Sequence, residues 1–124
     1  MPKQRMAPPP ETPNAVSSLA PVEDRVHHAE PVRFTTSADE AMSAVLEAVA
    51  RLERAEIKEQ DDRYVRLVVT SRLFRFKDDV EVQVDEDAGL IHYRSASRVG
   101  KGDMGVNRKR MQGLVSDLRS LLPD

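Results

Sequence analysis

A loop rich in arginine and glycine contains the residues of this 124-residue chain that are best suited to chemistry. It spans residues 98–110, which include the start of a predicted C-terminal helix, and holds three of the five glycines: Gly100, Gly102 and Gly105. Backbone N–H groups at a helix N-terminus bind anions, and glycine lets a ligand approach the backbone closely. The cations in and beside the loop are Arg94, Arg98, Lys101, Arg108 and Arg110. The pattern therefore predicts a site for a small anionic ligand, a phosphate or a carboxylate.

The three glycines also match the G-x-G-x-x-G pattern of dinucleotide sites, after a strand and before a helix. A dinucleotide-binding unit needs a further parallel strand and an acidic residue about twenty positions on. The printed chain ends at Asp124, so we expect neither of these and predict that the protein uses no cofactor.

An internal ion-pair network is the alternative explanation of the cations. Positive side chains in the first turn of a helix oppose its dipole, so Arg108 and Arg110 need partners unless they serve a ligand. Residues 94–110 carry a net charge of +5, whereas residues 30–93 carry −6. The acidic members predicted for such a network are Asp78, Asp79 and Asp103. The sequence leaves both explanations open.

Patterns typical of catalysis or metal binding are weak in this chain. It has no cysteine, which excludes disulfides, thiolate ligands and a cysteine nucleophile. Adjacent histidines at residues 27–28 would point to opposite sides of an extended segment, and we predict no metal site. Asp78 and Asp79 could act as paired carboxylates, but pairing with Arg72 or Arg94 is the favoured interpretation. An enzyme is therefore the third hypothesis, after a binding module and a structural or protein-interaction domain.

Two periodicities describe the elements that must position the loop. Alternation of apolar and polar residues predicts strands, and apolar residues three and four apart predict helices. The predicted strands are 32–34, 56–60, 64–71, 80–85 and 90–98, and the predicted helices follow Ser37 and span 106–122. This order, β-α-β-β-β-β-α, predicts an α+β two-layer sandwich. Its curled antiparallel sheet would carry both helices on one face, by analogy with helix-grip and TBP-like folds.

The last predicted strand becomes polar at the end that leads into the same loop. Ser95 and Ser97 continue the face that begins with Ile91 and Tyr93, so an apolar face becomes polar toward the loop. Either the core ends there or a polar pocket begins.

Proline divides the chain into two parts, since seven of the eight prolines lie in the first 31 residues. We predict that residues 1–29 form a partly disordered tail or surface strap, and that residues 30–124 form a single domain. Without a long apolar run or a secretory signal, we expect no integral membrane insertion and a cytoplasmic location. A net charge of −2 disfavours duplex nucleic acid as a partner. The expected partner is a small anionic ligand or a protein.

Two polar stretches carry a family resemblance. Residues 71–81 read SRLFRFKDDVE and residues 94–110 read RSASRVGKGDMGVNRKR, preceded by PNAVSS at 13–18 and AEPVRF at 29–34. This combination resembles domain-of-unknown-function family 1499, found in bacteria and plastid-bearing organisms. The family has no agreed activity, so the resemblance implies motif positions and no reaction. This chain has Ala15 where the family commonly has cysteine, and a thiol-dependent role is therefore not expected.

The motif positions and the loop together define the predicted site. The predicted ligand-binding residues are Arg72, Arg94, Ser95, Ser97, Arg98, Gly100, Gly105, Asn107 and Arg108. The predicted structural network consists of Asp78, Asp79 and Asp103.

Overall fold

Six strands and two helices are present in the computed structural model, which describes residues 6–8, 15–71, 76–98 and 105–123. In chain order they are β1 (Ala15–Ser17), β2 (Val32–Arg33), α1 (Ala38–Ala50), β3 (Ala55–Gln60), β4 (Tyr64–Thr70), β5 (Lys77–Asp85), β6 (Leu90–Ser97) and α2 (Val106–Leu121). The strands form one antiparallel sheet in the order β1-β6-β5-β4-β3, and β2 also pairs with β6. The predicted α+β class with a curled antiparallel sheet is confirmed.

The core lies between one face of the sheet and both helices. Leu67 pairs with Val80 and Val65 with Val82 across β4 and β5, and none of these four side chains is exposed. Residues on this face belong to one apolar cluster with α1 and α2. The helix residues in that cluster include Val45, Val49, Met111, Leu114 and Leu118. Alternation in the strands and three-to-four spacing in the helices thus place both apolar faces against each other.

Two residues shape the start of α1 and the turn between β5 and β6. Ser37 caps α1, because its hydroxyl oxygen accepts a hydrogen bond from the Glu40 backbone N–H at 3.1 Å. Gly89 has a φ of +67° in the turn between β5 and β6, the left-handed conformation that glycine adopts without strain. This turn fixes the register in which Val84 faces Ile91.

The first strand of the structure was not predicted. Ala15, Val16 and Ser17 are buried and pair with the end of β6 that leads to α2. Three residues are too few for a period to be read, and tertiary pairing decides their structure. Between β1 and β2 the chain returns across the molecule, and the Ser17 backbone N–H donates to the His27 carbonyl at 2.7 Å.

The sheet face away from the helices is covered in part by residues 6–8. Met6 is only 4% exposed, and its backbone N–H lies 3.4 Å from the Gln83 side-chain oxygen. The Ala7 N–H donates to the Glu81 carboxylate at 3.3 Å. We call this side of the sheet the outer face. No helix among the described residues has the length and apolar character needed to cross a membrane.

Candidate functional site

A buried polar cluster occupies the junction of the sheet and the start of α2. Asp78 and Ser97 are register partners on β5 and β6, and Ser95 follows on the same face beside Val80. Asn107, in the first turn of α2, lies over them. Ser95 is fully buried, Asn107 is 1% exposed and Asp78 is 6% exposed. The apolar face of β6 therefore continues into a closed polar layer.

Asn107 links β6 to the helix. Its side-chain oxygen accepts hydrogen bonds from the Ser95 hydroxyl at 2.5 Å and from the Arg110 guanidinium at 2.9 Å. Its side-chain nitrogen donates to the Ser97 hydroxyl oxygen at 2.9 Å. Both ends of the amide are thus used, and this role requires an asparagine or glutamine.

Arg110 completes the cluster. Its Nη1 lies 2.8 Å from Asp78 Oδ2 and also donates to the Ser95 hydroxyl oxygen at 3.1 Å. Among the described residues, every buried side-chain nitrogen and oxygen has a hydrogen-bond partner. The polar layer is therefore internally satisfied, and we name it the junction network: Asp78, Ser95, Ser97, Asn107 and Arg110.

A second set of ion pairs lies on the outer face. Arg98 binds Asp79 with two parallel hydrogen bonds of 2.9 Å, the bidentate geometry that suits a guanidinium and a carboxylate. These bonds hold the pKa of the Asp79 carboxyl below its usual range. Arg94 lies 3.4 Å from Glu81, which also accepts a hydrogen bond from the Tyr64 hydroxyl at 2.6 Å.

The predicted ligand-binding residues are therefore divided between the two faces. Ser95, Ser97 and Asn107 belong to the junction network, whereas Arg94 and Arg98 lie on the outer face. Successive residues of a strand point to opposite sides of a sheet, which separates the serines from the arginines. For the same reason the carboxylates at 78 and 79 have different partners, Arg110 and Arg98, where the sequence favoured Arg72 or Arg94.

The remaining predicted residues lie at the start of α2 or outside the described residues. Gly105 precedes α2 with a φ of +79°, and a Cβ built there would meet no atom within 4 Å. Arg108 points away from the junction network and donates to the backbone carbonyls of Val26 and His28, at 3.0 and 3.2 Å. Arg72, Gly100 and Asp103 lie outside the described residues. Arg94, Arg98 and Arg108 thus bind three different sets of acceptors.

A serine and a histidine also lie in contact near β1, a pairing that can activate a nucleophile. The Ser18 hydroxyl oxygen is 2.9 Å from His92 Nδ1. The same oxygen accepts a hydrogen bond from the Tyr93 N–H, and Ser18 is only 7% exposed. Burial lowers the pKa of His92. Neither residue lines the clefts at α2. The contacts of Ser18 with His92 and Tyr93 hold the turn after β1 against β6.

A cleft of about 370 Å³ lies between α2 and residues 28–30. The residues that line it are Val16, His28, Ala29, Glu30, Tyr93, Arg108, Met111, Gln112, Val115 and Arg119. We call it the α2 cleft. Its buried members Val16, Tyr93 and Met111 are each no more than 3% exposed and form its base. The sequence analysis did not identify this cleft, because it is created by the packing of residues 28–30 against α2.

Charge in the α2 cleft is mostly positive. Arg119 is exposed and forms no hydrogen bond or ion pair within the part of the chain that the structure describes. Among the described residues, Arg108 is bound only to neutral carbonyls. His28 places one ring nitrogen 2.9 Å from the Ala20 carbonyl and the other 3.2 Å from Glu30, and these two acceptors raise its pKa. Burial raises the pKa of Tyr93 to about 12, with both arginines acting in the opposite direction.

Comparison with known protein families gives one match of high coverage. The family described as "Protein of unknown function (DUF1499)" matches residues 5–118 of the 124-residue chain. The match includes β1 to β6 and most of α2. A search of the curated proteins found no match.

Proposed function

The chain belongs to the DUF1499 family, whose description assigns no function, and from its geometry we propose a non-enzymatic binding module for a small anionic ligand. The α2 cleft is the site that best supports this proposal. It combines an enclosed base, a volume within the range of small-molecule sites and an excess of positive charge.

The observation that carries the proposal is the state of Arg108 and Arg119. Neither guanidinium has a carboxylate partner among the described residues, although both border one cleft. By contrast, Arg94, Arg98 and Arg110 are each matched with an acidic side chain. The charges of the arginines beside the α2 cleft are therefore not neutralised by an acidic side chain of the described residues, and an anionic ligand can pair with them.

The glycine-containing loop remains part of the same proposal. Its residues 99–104 lie outside the described residues, and its later residue Arg108 lies in the first turn of α2. An anion could therefore be bound by the backbone N–H groups at the start of α2, with Arg108 as a shared cation. The two locations are separable by experiment.

Amide NMR spectra of the full chain, titrated with acetate and with inorganic phosphate, test the proposal. Binding in the α2 cleft shifts the signals of Tyr93, Val115 and Arg119, whereas binding at the loop shifts those of Gly105 and Val106. The substitution Arg119→Gln should abolish the first set of shifts. Arg51→Gln is the matched control, because Arg51 is also an exposed arginine but pairs with Asp117 at 3.4 Å. Spectra that show no saturable shift with either anion would refute the function.

A structural or protein-interaction domain is the second candidate, and the paired arginines support it. In this alternative the arginine and aspartate positions of the family pattern act as an internal salt-bridge network. Arg98 with Asp79 and Arg110 with Asp78 have the geometry that such a role needs. Variants of these residues would then change stability and leave anion binding intact, a result the titration above can score on the same samples.

A further inference from the structure

Resting on the proposed function, we propose that the ligand of the α2 cleft is an amphipathic anion: a carboxylate head on an unbranched apolar chain. The head binds at Arg119 and the chain lies along the apolar base of the cleft. Free aliphatic carboxylates are the simplest members of this class.

The arrangement of α2 separates the charge of the cleft from its apolar surface. Arg108, Gln112, Val115 and Arg119 are spaced by four, three and four residues, which places them on one stripe of the helix. At 1.5 Å per residue, the Cα atoms of the two arginines are roughly 16 Å apart along the helix axis. Val115 lies between them, above the buried base. The stripe therefore presents cation, apolar centre and cation in sequence.

The apolar centre disfavours a compact polar ligand. Inorganic phosphate or a sugar needs several donors that converge on one point, whereas Arg108 already uses two of its N–H groups on backbone carbonyls. The Tyr93 hydroxyl already donates to the Glu30 carbonyl at 2.5 Å. An apolar chain, in contrast, is stabilised by contact with Val16, Met111 and Val115 without any further donor.

Arg119 is the better partner for the head. Arg108 already uses Nη1 and Nη2 on two backbone carbonyls, whereas the guanidinium of Arg119 has all of its N–H groups available within the described structure. Glu30, at the rim beside His28, disfavours a second negative charge there. A monoanion with its charge at one end fits this distribution.

A neighbouring cleft of about 310 Å³ is also bordered by Arg119 and is a second place where the apolar chain of the ligand can lie. It is lined by Val32, Arg33, Thr35, Arg119, Leu122 and Pro123. Arg33 and Arg119 both border it, so one carboxylate head can bind both of them there. The placement of the chain is therefore tested with one variant in each cleft.

The experiment is a calorimetric and NMR titration of the full chain with acetate, butanoate, hexanoate and octanoate, with 1-hexanol as the neutral control. Each added methylene should tighten binding by a factor of about two to four. Arg119→Gln should weaken octanoate at least about tenfold, because a charge-assisted hydrogen bond is lost. Arg51→Gln should bind octanoate as the unaltered chain does.

Substitutions at two apolar residues show which cleft holds the apolar chain of the ligand. Val115→Thr keeps the side-chain shape and introduces a hydroxyl, so it should fold normally and reduce the gain per methylene. Leu122→Thr should leave that gain unchanged. The reverse result overturns the placement in the α2 cleft.

Separate outcomes distinguish the class of ligand from the function. If acetate and octanoate bind the cleft equally, the amphipathic class is wrong and the anion site stands. If hexanol binds as tightly as hexanoate and Arg119→Gln has no effect, the role of the charge is wrong. If no carboxylate shifts Tyr93, Val115 or Arg119, both the class and the function fail.

Discussion

Asp78 and Arg110 form a buried ion pair across the sheet and α2, with 2.8 Å between Oδ2 and Nη1. Their side chains are 8% and 11% exposed. The next residue along β5, Asp79, pairs with Arg98 on the opposite face, where the two side chains are 29% and 45% exposed. Two adjacent carboxylates thus each pair with an arginine in very different surroundings, which allows a comparison of the two.

Removal of the buried carboxylate should be far more costly than removal of the exposed one. Asp78→Ala leaves Arg110 charged and unpaired beneath α2, and we expect a loss of about 3 kcal/mol in the free energy of unfolding. Asp79→Ala serves as the control and should cost less than about 1 kcal/mol, since exposed pairs are weak. Urea unfolding measures both. Equal losses would show that the two sites have similar solvent access.

Asn107→Ala should also destabilise the chain, by about 2 kcal/mol, because it leaves the buried Ser95 hydroxyl and the partly buried Ser97 and Arg110 with fewer partners. Ser97→Ala removes a single hydrogen bond of the junction network and should cost about 1 kcal/mol. Hydrogen exchange of the first turn of α2 should accelerate in the Asn107 variant. An Asn107→Ala protein as stable as the unaltered chain would contradict the linking role of this side chain.

The Arg98 hydrogen bonds that lower the pKa of Asp79 predict a stability change at acidic pH. A carboxyl whose folded pKa is depressed contributes stability above its unfolded pKa, about 3.9, and loses it as the pH falls through the folded pKa. Carboxyl-carbon NMR of Asp79 should show the lowered pKa in the unaltered chain. In Arg98→Gln the pKa should rise toward its ordinary value, and an unchanged pKa would mean that another group is responsible.

The contribution of His28 to stability should depend on pH in the direction opposite to that of Asp79. The Ala20 carbonyl and Glu30 raise its pKa, because only the protonated ring donates to both acceptors. Its contribution to stability is complete below the unfolded pKa, about 6.5, and is lost as the pH rises through the folded pKa. Imidazole proton NMR measures the value. Glu30→Gln should lower the pKa of His28, while the pKa of His92 should not move.

Much of the fold follows from local pattern, since β4, β5, β6 and both helices have the periods of their elements. The same alternation already places Ser95 and Ser97 on one face and Arg94 and Arg98 on the other. Within α2, two residues correspond to about 200° of rotation, so Arg108 and Arg110 must face different surroundings. The separation of the predicted site residues is therefore implicit in the sequence.

The partners of these residues could not be predicted in the same way. Asp78 binds Arg110 because of how α2 crosses the end of the sheet, and that crossing depends on the whole core. The α2 cleft similarly requires residues 28–30 to return beside the helix. The sequence did not indicate a binding role for Arg119, because one arginine near a helix C-terminus is expected from the helix dipole alone.

The pairing of β1 and β2 with β6 also constrains how the protein is made. Ala15 faces Ala96 and Val32 faces Ile91, so β1 and β2 both pair with a strand that is synthesised after them. During synthesis β1 and β2 therefore have no strand partner until β6 has been produced. The closure of the sheet by β1 and β2 is therefore a folding step that follows the synthesis of β6.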